Sequence, residues 1–308
     1  MDIFVVLNQM IQLFLLLGLG YFLYKVKIID TPMTKKLTTL VLSVSCPAMV
    51  INAVLNITEY QPLSVVIYVI VIAAIIFSIM PVAGYGIAKL LRIPPDQVGT
   101  YVFMTEFSNI GFIGFPIMNA IFGSEAVFYT SLFNLLFNLF VFTLGVYLIT
   151  MGKGKKQPFR LQSLLTPGVI SCVIALVFYL GHIHLPLVLS NTINTVSQMN
   201  TPLAMMVIGA TLGEIPVKKI FNEYLLYPYT ILKQVLLPII TYYICILLIN
   251  DPVILGVTVI NVAMPVGTSV VLFAKLYGGD ADLGAKSIFL TTLFSVATIP
   301  LIVYFFLM

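Results

Sequence analysis

The sequence predicts an all-α integral membrane protein of ten transmembrane helices, built as two inverted five-helix repeats with both termini external. Three observations predict it: an apolar composition, basic residues in every second connection, and matched positions half a chain apart. Of the 308 residues, 60% are hydrophobic and 8% charged. A soluble domain carries roughly 25% charge, so a soluble enzyme or a nucleic-acid-binding protein is excluded as a class. Cys46, Cys172 and Cys245 lie in apolar stretches and are odd in number; they predict neither a disulfide framework nor a metal site. The first apolar run starts almost at Met1, behind Asp2 rather than a basic segment, which does not read as a cleaved leader.

Windows of about 20 apolar residues place the spans at 3–24, 37–57, 64–90, 98–122, 125–151, 166–181, 187–212, 224–249, 253–275 and 284–307. The seventh is diluted by Asn191, Thr192, Asn194, Thr195, Ser197 and Gln198. Lys25, Lys27, Lys35 and Lys36 follow span 1, and Lys89 and Arg92 follow span 3. Lys153, Lys155, Lys156 and Arg160 follow span 5, Lys218 and Lys219 follow span 7, and Lys275 and Lys286 flank the turn after span 9. The connections after even-numbered spans hold no Lys or Arg, so 14 of the 15 basic residues share one side. The positive-inside rule makes that side cytoplasmic.

Pro47 recurs as Pro202, 155 residues later, and Phe122-Gly123-Ser124-Glu125-Ala126 recurs as Tyr277-Gly278-Gly279-Asp280-Ala281 at the same offset. An odd number of spans per repeat forces the second copy to enter the membrane with opposite polarity, the architecture of alternating-access carriers. The expected division is a first repeat over 1–152, a short basic cytoplasmic loop over 153–165 and a second repeat over 166–308.

Within span 4, Asn109-Ile110-Gly111-Phe112-Ile113-Gly114-Phe115-Pro116 places an amide, two glycines and a proline where a membrane helix has no reason for them. Non-helical backbone at that depth survives only when buried in protein or lining a cavity. The repeat offset carries the same feature onto span 9, at Met264-Pro265-Val266-Gly267-Thr268-Ser269. There Pro265 forces Met264 from helical angles, Gly267 supplies a joint, and the hydroxyls of Thr268 and Ser269 are expected to cap the new helix. Two broken helices crossing near the midplane aim half-helix N-termini, each with a partial positive charge, at one point. Asn109 adds amide donors. The candidate binding residues are therefore Asn109, Ile110, Gly111 and Pro116 with Pro265, Val266, Gly267 and Thr268, and a small organic anion, a carboxylate, is the expected substrate.

These residues, with Phe273-Ala274-Lys275-Leu276-Tyr277 and Ile299-Pro300, give a chain that resembles the auxin efflux carrier family over its whole length. The short central loop resembles the bacterial-type, PIN-like branch rather than the plant exporters, which carry a long one. The resemblance implies a scaffold from spans 1, 2, 6 and 7 and a transport core from spans 3–5 and 8–10, working by an elevator or rocking motion. It also implies a homodimer through the scaffold, in a bacterial inner membrane, with substrate beside the crossing near Asn109.

Glu106 and Lys233 are charges buried roughly 12–17 Å from the cytoplasmic ends of their spans, where an unpaired charge costs at least about 2.5–3.5 kcal/mol. Two arrangements are open. Glu106 and Lys233 pair with one another, or Lys233 binds water or the open backbone carbonyls while Glu106 faces a cavity. A fixed lysine would make the carrier sodium-independent; a Glu106 that takes up and releases protons would couple it to pH. Ser131, Asn134 and Asn138 share one face of span 5, and Thr291, Ser295 and Thr298 share one of span 10. Such stripes serve mainly as interhelical hydrogen-bonding positions, with Asn138 the candidate ligand. On the scaffold side, Ser45, Cys46, Asn200 and Thr201 flank the two repeated prolines.

His182 and His184 lack nearby Cys or carboxylate partners, so no metal and no cofactor is expected. An alternative, a sodium-coupled symporter of the bile-acid-carrier type, needs a carboxylate cluster at the crossing, and Glu106 stands alone there. No zinc-protease motif, glycine-flanked serine or paired intramembrane aspartates point to an enzyme.

Overall fold

A computed structural model describes residues 3–55, 62–151, 167–214 and 222–307. The basic loop expected over 153–165, and Lys218 and Lys219, lie outside the described residues. Among those described, helices form throughout and no strand does. Helix covers most of the described part of each of the ten apolar windows. Among the described residues, three helices are continuous, apolar and long enough to cross a membrane: Thr31–Leu55, Leu63–Leu90 and Ala281–Leu307. Ser124–Phe140 and Thr143–Ile149 make a fourth if taken together across a bend of 45°.

Helix ends follow local chemistry. Asp30, Asp251 and Asp280 each accept a hydrogen bond from a first-turn N–H and so cap the helices that follow them. Pro32, Pro95 and Pro252 stand in first turns, where the missing donor costs nothing. The repeated motif ends both helices at a glycine of positive φ, left-handed helical only at Gly278. Gly123 has φ 77° and Gly278 φ 83°, and each donates its N–H four residues back, to Asn119 and Ala274. Positive φ at a helix end is what glycine permits at least cost.

Proximity divides the chain into two compact units. The first comprises Met1–Ile70, Ile110–Leu135 and Leu165–Glu214, so Ile110–Leu135 joins spans 1, 2, 6 and 7. Inside it, helix Ile3–Lys25 packs against Asn200–Glu214 through small residues. A Cβ on Gly209 would fall on the Leu17 carbonyl, and one on Gly20 on the Met206 backbone. Span 7 is not one rod: it pauses at Met199, between Leu187–Gln198 and Asn200–Glu214.

The second unit comprises Val71–Asn109, Leu136–Leu164 and Ile215–Met308. Its core is built from Tyr101, Phe103, Phe107, Tyr229, Phe273 and their aliphatic neighbours. The Tyr101 and Tyr229 rings meet edge to face at 5.0 Å, a favoured aromatic geometry.

Candidate functional site

Two helices of the second unit stop in mid-segment. Pro95–Glu106 ends at Phe107 (φ −99°, ψ 85°), and Pro252–Ala263 ends at Met264 (φ −57°, ψ 146°). The second value is the extended conformation that a following proline imposes. The two openings then satisfy each other. Asn109 N–H donates to the Pro265 carbonyl at 2.8 Å, and Gly267 N–H donates to the Phe107 carbonyl at 2.9 Å. Between them Ser108 and Val266 form an isolated antiparallel bridge. Gly267 permits the close approach: a Cβ there would lie 2.8 Å from the Phe107 oxygen.

The opening in span 4 is narrower and earlier than the glycines suggest. Only Phe107–Asn109 leave the helix; Ile110–Gly114 already form a wide helical turn that runs into Phe115–Phe122. Pro116 sits in the first turn of that helix and its missing N–H accommodates the wide turn ahead of it. Gly111 is thus helical, and Ile110, Gly111 and Pro116 fall in the first unit. The expected hydroxyl cap in span 9 is not made either. Thr268 adopts helical angles (φ −62°, ψ −18°) and makes no side-chain cap bond, because only an extended N-cap aims its hydroxyl at the first turn. Ser269 Oγ likewise has no partner among the described residues; the Gly267 carbonyl accepts from Val270 N–H at 3.2 Å.

Around the paired openings lies a buried polar shell. Val266 N–H donates to Thr291 Oγ1 at 3.1 Å, and that hydroxyl donates to the Ser287 carbonyl at 2.7 Å. Gln234 Nε2 donates to the Thr291 carbonyl at 2.8 Å. Lys233, 1% exposed, donates from Nζ to the Met264 carbonyl at 2.7 Å and to Ser108 Oγ at 2.9 Å. One side chain therefore ties both openings. Lys233 makes no ion pair with Glu106: both Glu106 oxygens are buried and accept no hydrogen bond from a described residue. Of the two arrangements left open by the sequence, these lysine contacts are those of the second, to open backbone carbonyls. Asn261, one turn before Pro265, also has both amide atoms buried and unbonded.

Asn109 is buried in the second unit. Asn138 is half-buried, beside Phe137, whose ring meets Phe107 edge-on at 5.4 Å. In the first unit, Ser45 Oγ donates to Asn200 Oδ1 at 3.2 Å, a contact between positions one repeat offset apart. Cys46 is buried, and Thr201 lines a cavity of about 360 Å³ with Asn52, Asn119, Asn194 and Gln198 among its other walls. No group of three metal-ligating side chains occurs among the described residues. Thr291 entered the sequence reading only as one of a polar stripe, and Ser108 and Gln234 not at all. Their one signal was adjacency, a second polar residue beside Asn109 and beside Lys233 in apolar surroundings.

Comparison with known proteins matches the family described as "Membrane transport protein" over residues 5–159 and 157–303. The chain is similar to an uncharacterized transporter of Methanocaldococcus jannaschii, 23% identical over 93% of this chain and 94% of that one. An uncharacterized transporter of Methanothermobacter thermautotrophicus is 23% identical over 96% of each. A Rhizobium meliloti protein named "Putative malonate transporter" is 25% identical over 66% of this chain and 65% of that one.

Proposed function

Since this chain belongs to the membrane transport protein family, the auxin-efflux-carrier-like transporters, we propose that it carries a small organic anion by alternating access. It is a multi-pass protein of the plasma membrane. The observation that carries the substrate class is the pair of interrupted helices, hydrogen-bonded to each other through Asn109, Pro265, Phe107 and Gly267, with a buried ammonium beside them. Interrupted helices at membrane depth are where carriers bind substrate. A buried ammonium whose hydrogen-bond partners are a hydroxyl and a carbonyl has no acid among them, which supports an anion over a cationic solute.

The fuller reading is ten spans in two inverted repeats, crossing at these interruptions. Two features support it: the shared positive-φ glycine ends at Gly123 and Gly278, and the Ser45–Asn200 contact across one repeat offset. A two-fold axis in the membrane plane brings equivalent residues together only where it passes through them. A carboxylate would lie at the N-terminal end of the second half of span 9, with the Asn109 side-chain amide and the Gly267-Thr268 backbone as the nearest groups. Asn138 on span 5, in the same unit, completes the proposed lining. The scaffold also carries the homodimer in this reading.

Purified protein in liposomes tests it. Malonate, chosen because one relative is named for it, should exchange against internal malonate with saturating kinetics. Asn109→Ala should lose most of that exchange and of the ligand-induced rise in Tm. Full stabilisation by carboxylates in Asn109→Ala would remove the proposed site.

A further inference from the structure

The Lys233 ammonium touches two groups, and neither is an acid. One is the carbonyl of Met264, the residue that ends helix Pro252–Ala263; the other is the hydroxyl of Ser108, in the opposite interruption. A hydroxyl and an unwound carbonyl at a helix C-terminus are hard oxygen ligands at the negative end of a helix dipole. In transporters with broken helices, such carbonyls and C-terminal ends coordinate the coupling cation. Here the position is filled from within the chain. The stem enters from the wide helical turn Leu232–Leu236, and the head bridges both interruptions.

We infer that Lys233 is the resident cation of this carrier, holding the two interruptions in register in place of a free monovalent metal ion. The inference rests on the reading above and deepens it: transport needs no sodium, because the cation is covalently attached. Lysine acts here as a positioning residue, bonding the backbone of the site rather than the substrate. Removing its head should leave an oxygen-lined socket that a free cation can refill.

Lys233→Ala deletes three methylenes and the ammonium, which n-propylammonium replaces atom for atom. Purified Lys233→Ala should show a lowered Tm, with at least half of the loss recovered by n-propylammonium or by Na⁺, and none by choline. Malonate exchange should fall at least tenfold and return with the same additions. Lys233→Met, which fills the space without charge, should lose exchange and be rescued by neither. The unaltered protein should exchange malonate equally in Na⁺, K⁺ and choline.

Sodium stimulation of the unaltered protein, rescue of the Met variant as strong as that of the Ala variant, or no rescue of a folded Ala variant would each overturn the inference. If Lys233→Ala does not accumulate, Lys233→Arg and Lys233→Gln decide, since Arg should keep exchange and Gln lose it. Equal exchange by the two would also overturn it. The Tm measurement needs no substrate. Absence of malonate exchange in the unaltered protein therefore counts against the proposed function, while absence of cation-specific stabilisation counts against Lys233.

Discussion

Thr291 shows how much a single hydroxyl can be asked to do. It accepts from Val266 N–H, the only residue between the two reciprocal backbone bonds of span 9, and donates its own O–H to the Ser287 carbonyl. With Val266 fully buried, no water replaces that acceptor. Thr291→Val should leave the amide unsatisfied and cost about 1–3 kcal/mol, read as a lower Tm and faster amide exchange at Val266. Thr291→Ser should restore both, since it keeps the acceptor. A Val variant as stable as the parent would mean that the Val266 amide finds another partner. Lys233 and Thr291 thus both support the span 9 interruption, one through the Met264 carbonyl and the other through the Val266 N–H, and Lys233 alone also reaches Ser108 in span 4.

Among the elements, span 9 and span 4 open by different means. In span 9 the proline does it: Met264 cannot remain helical before Pro265. Pro265→Ala lifts that constraint, so residues 264–267 can rejoin a helix and withdraw the acceptor that Asn109 uses. Malonate exchange should fall at least tenfold while the protein remains folded; unchanged exchange would mean that the opening does not depend on the proline. In span 4 the opening needs its partner, since Phe107–Asn109 contain no proline or glycine and their backbone groups are met from span 9. The first unit makes a different demand. Its helices Ile3–Lys25 and Asn200–Glu214 touch backbone to backbone at Gly209, the close approach that small residues permit in membranes. Gly209→Leu should force them apart and cost at least about 2 kcal/mol, seen as a loss of Tm and of monodisperse protein.

At the scale of the whole molecule, the basic connections predict an orientation that can be measured directly. With Cys46, Cys172 and Cys245 replaced, Arg92→Cys should react with an impermeant maleimide only from the cytoplasmic side, and His184→Cys only from outside. Labelling of both from one side would end the ten-span reading, because one even and one odd connection must lie on opposite faces.

Composition, charge alternation and repeated prolines and glycines were enough to define a helical membrane protein, its ten apolar windows and the place where span 9 opens. These are local properties: hydropathy acts residue by residue, and proline imposes its conformation on its own neighbour. The glycines of span 4 misdirected the reading by three residues, because permissiveness does not say where a helix will actually part. That was decided by the hydrogen bonds available from span 9, 156 residues away for the Asn109–Pro265 pair. The choice of Lys233 for a carbonyl and a hydroxyl over Glu106 was likewise invisible in one dimension. Both charges could be counted from the sequence, but which oxygen atoms lie within reach of a buried ammonium is settled only when the two interruptions pack around it.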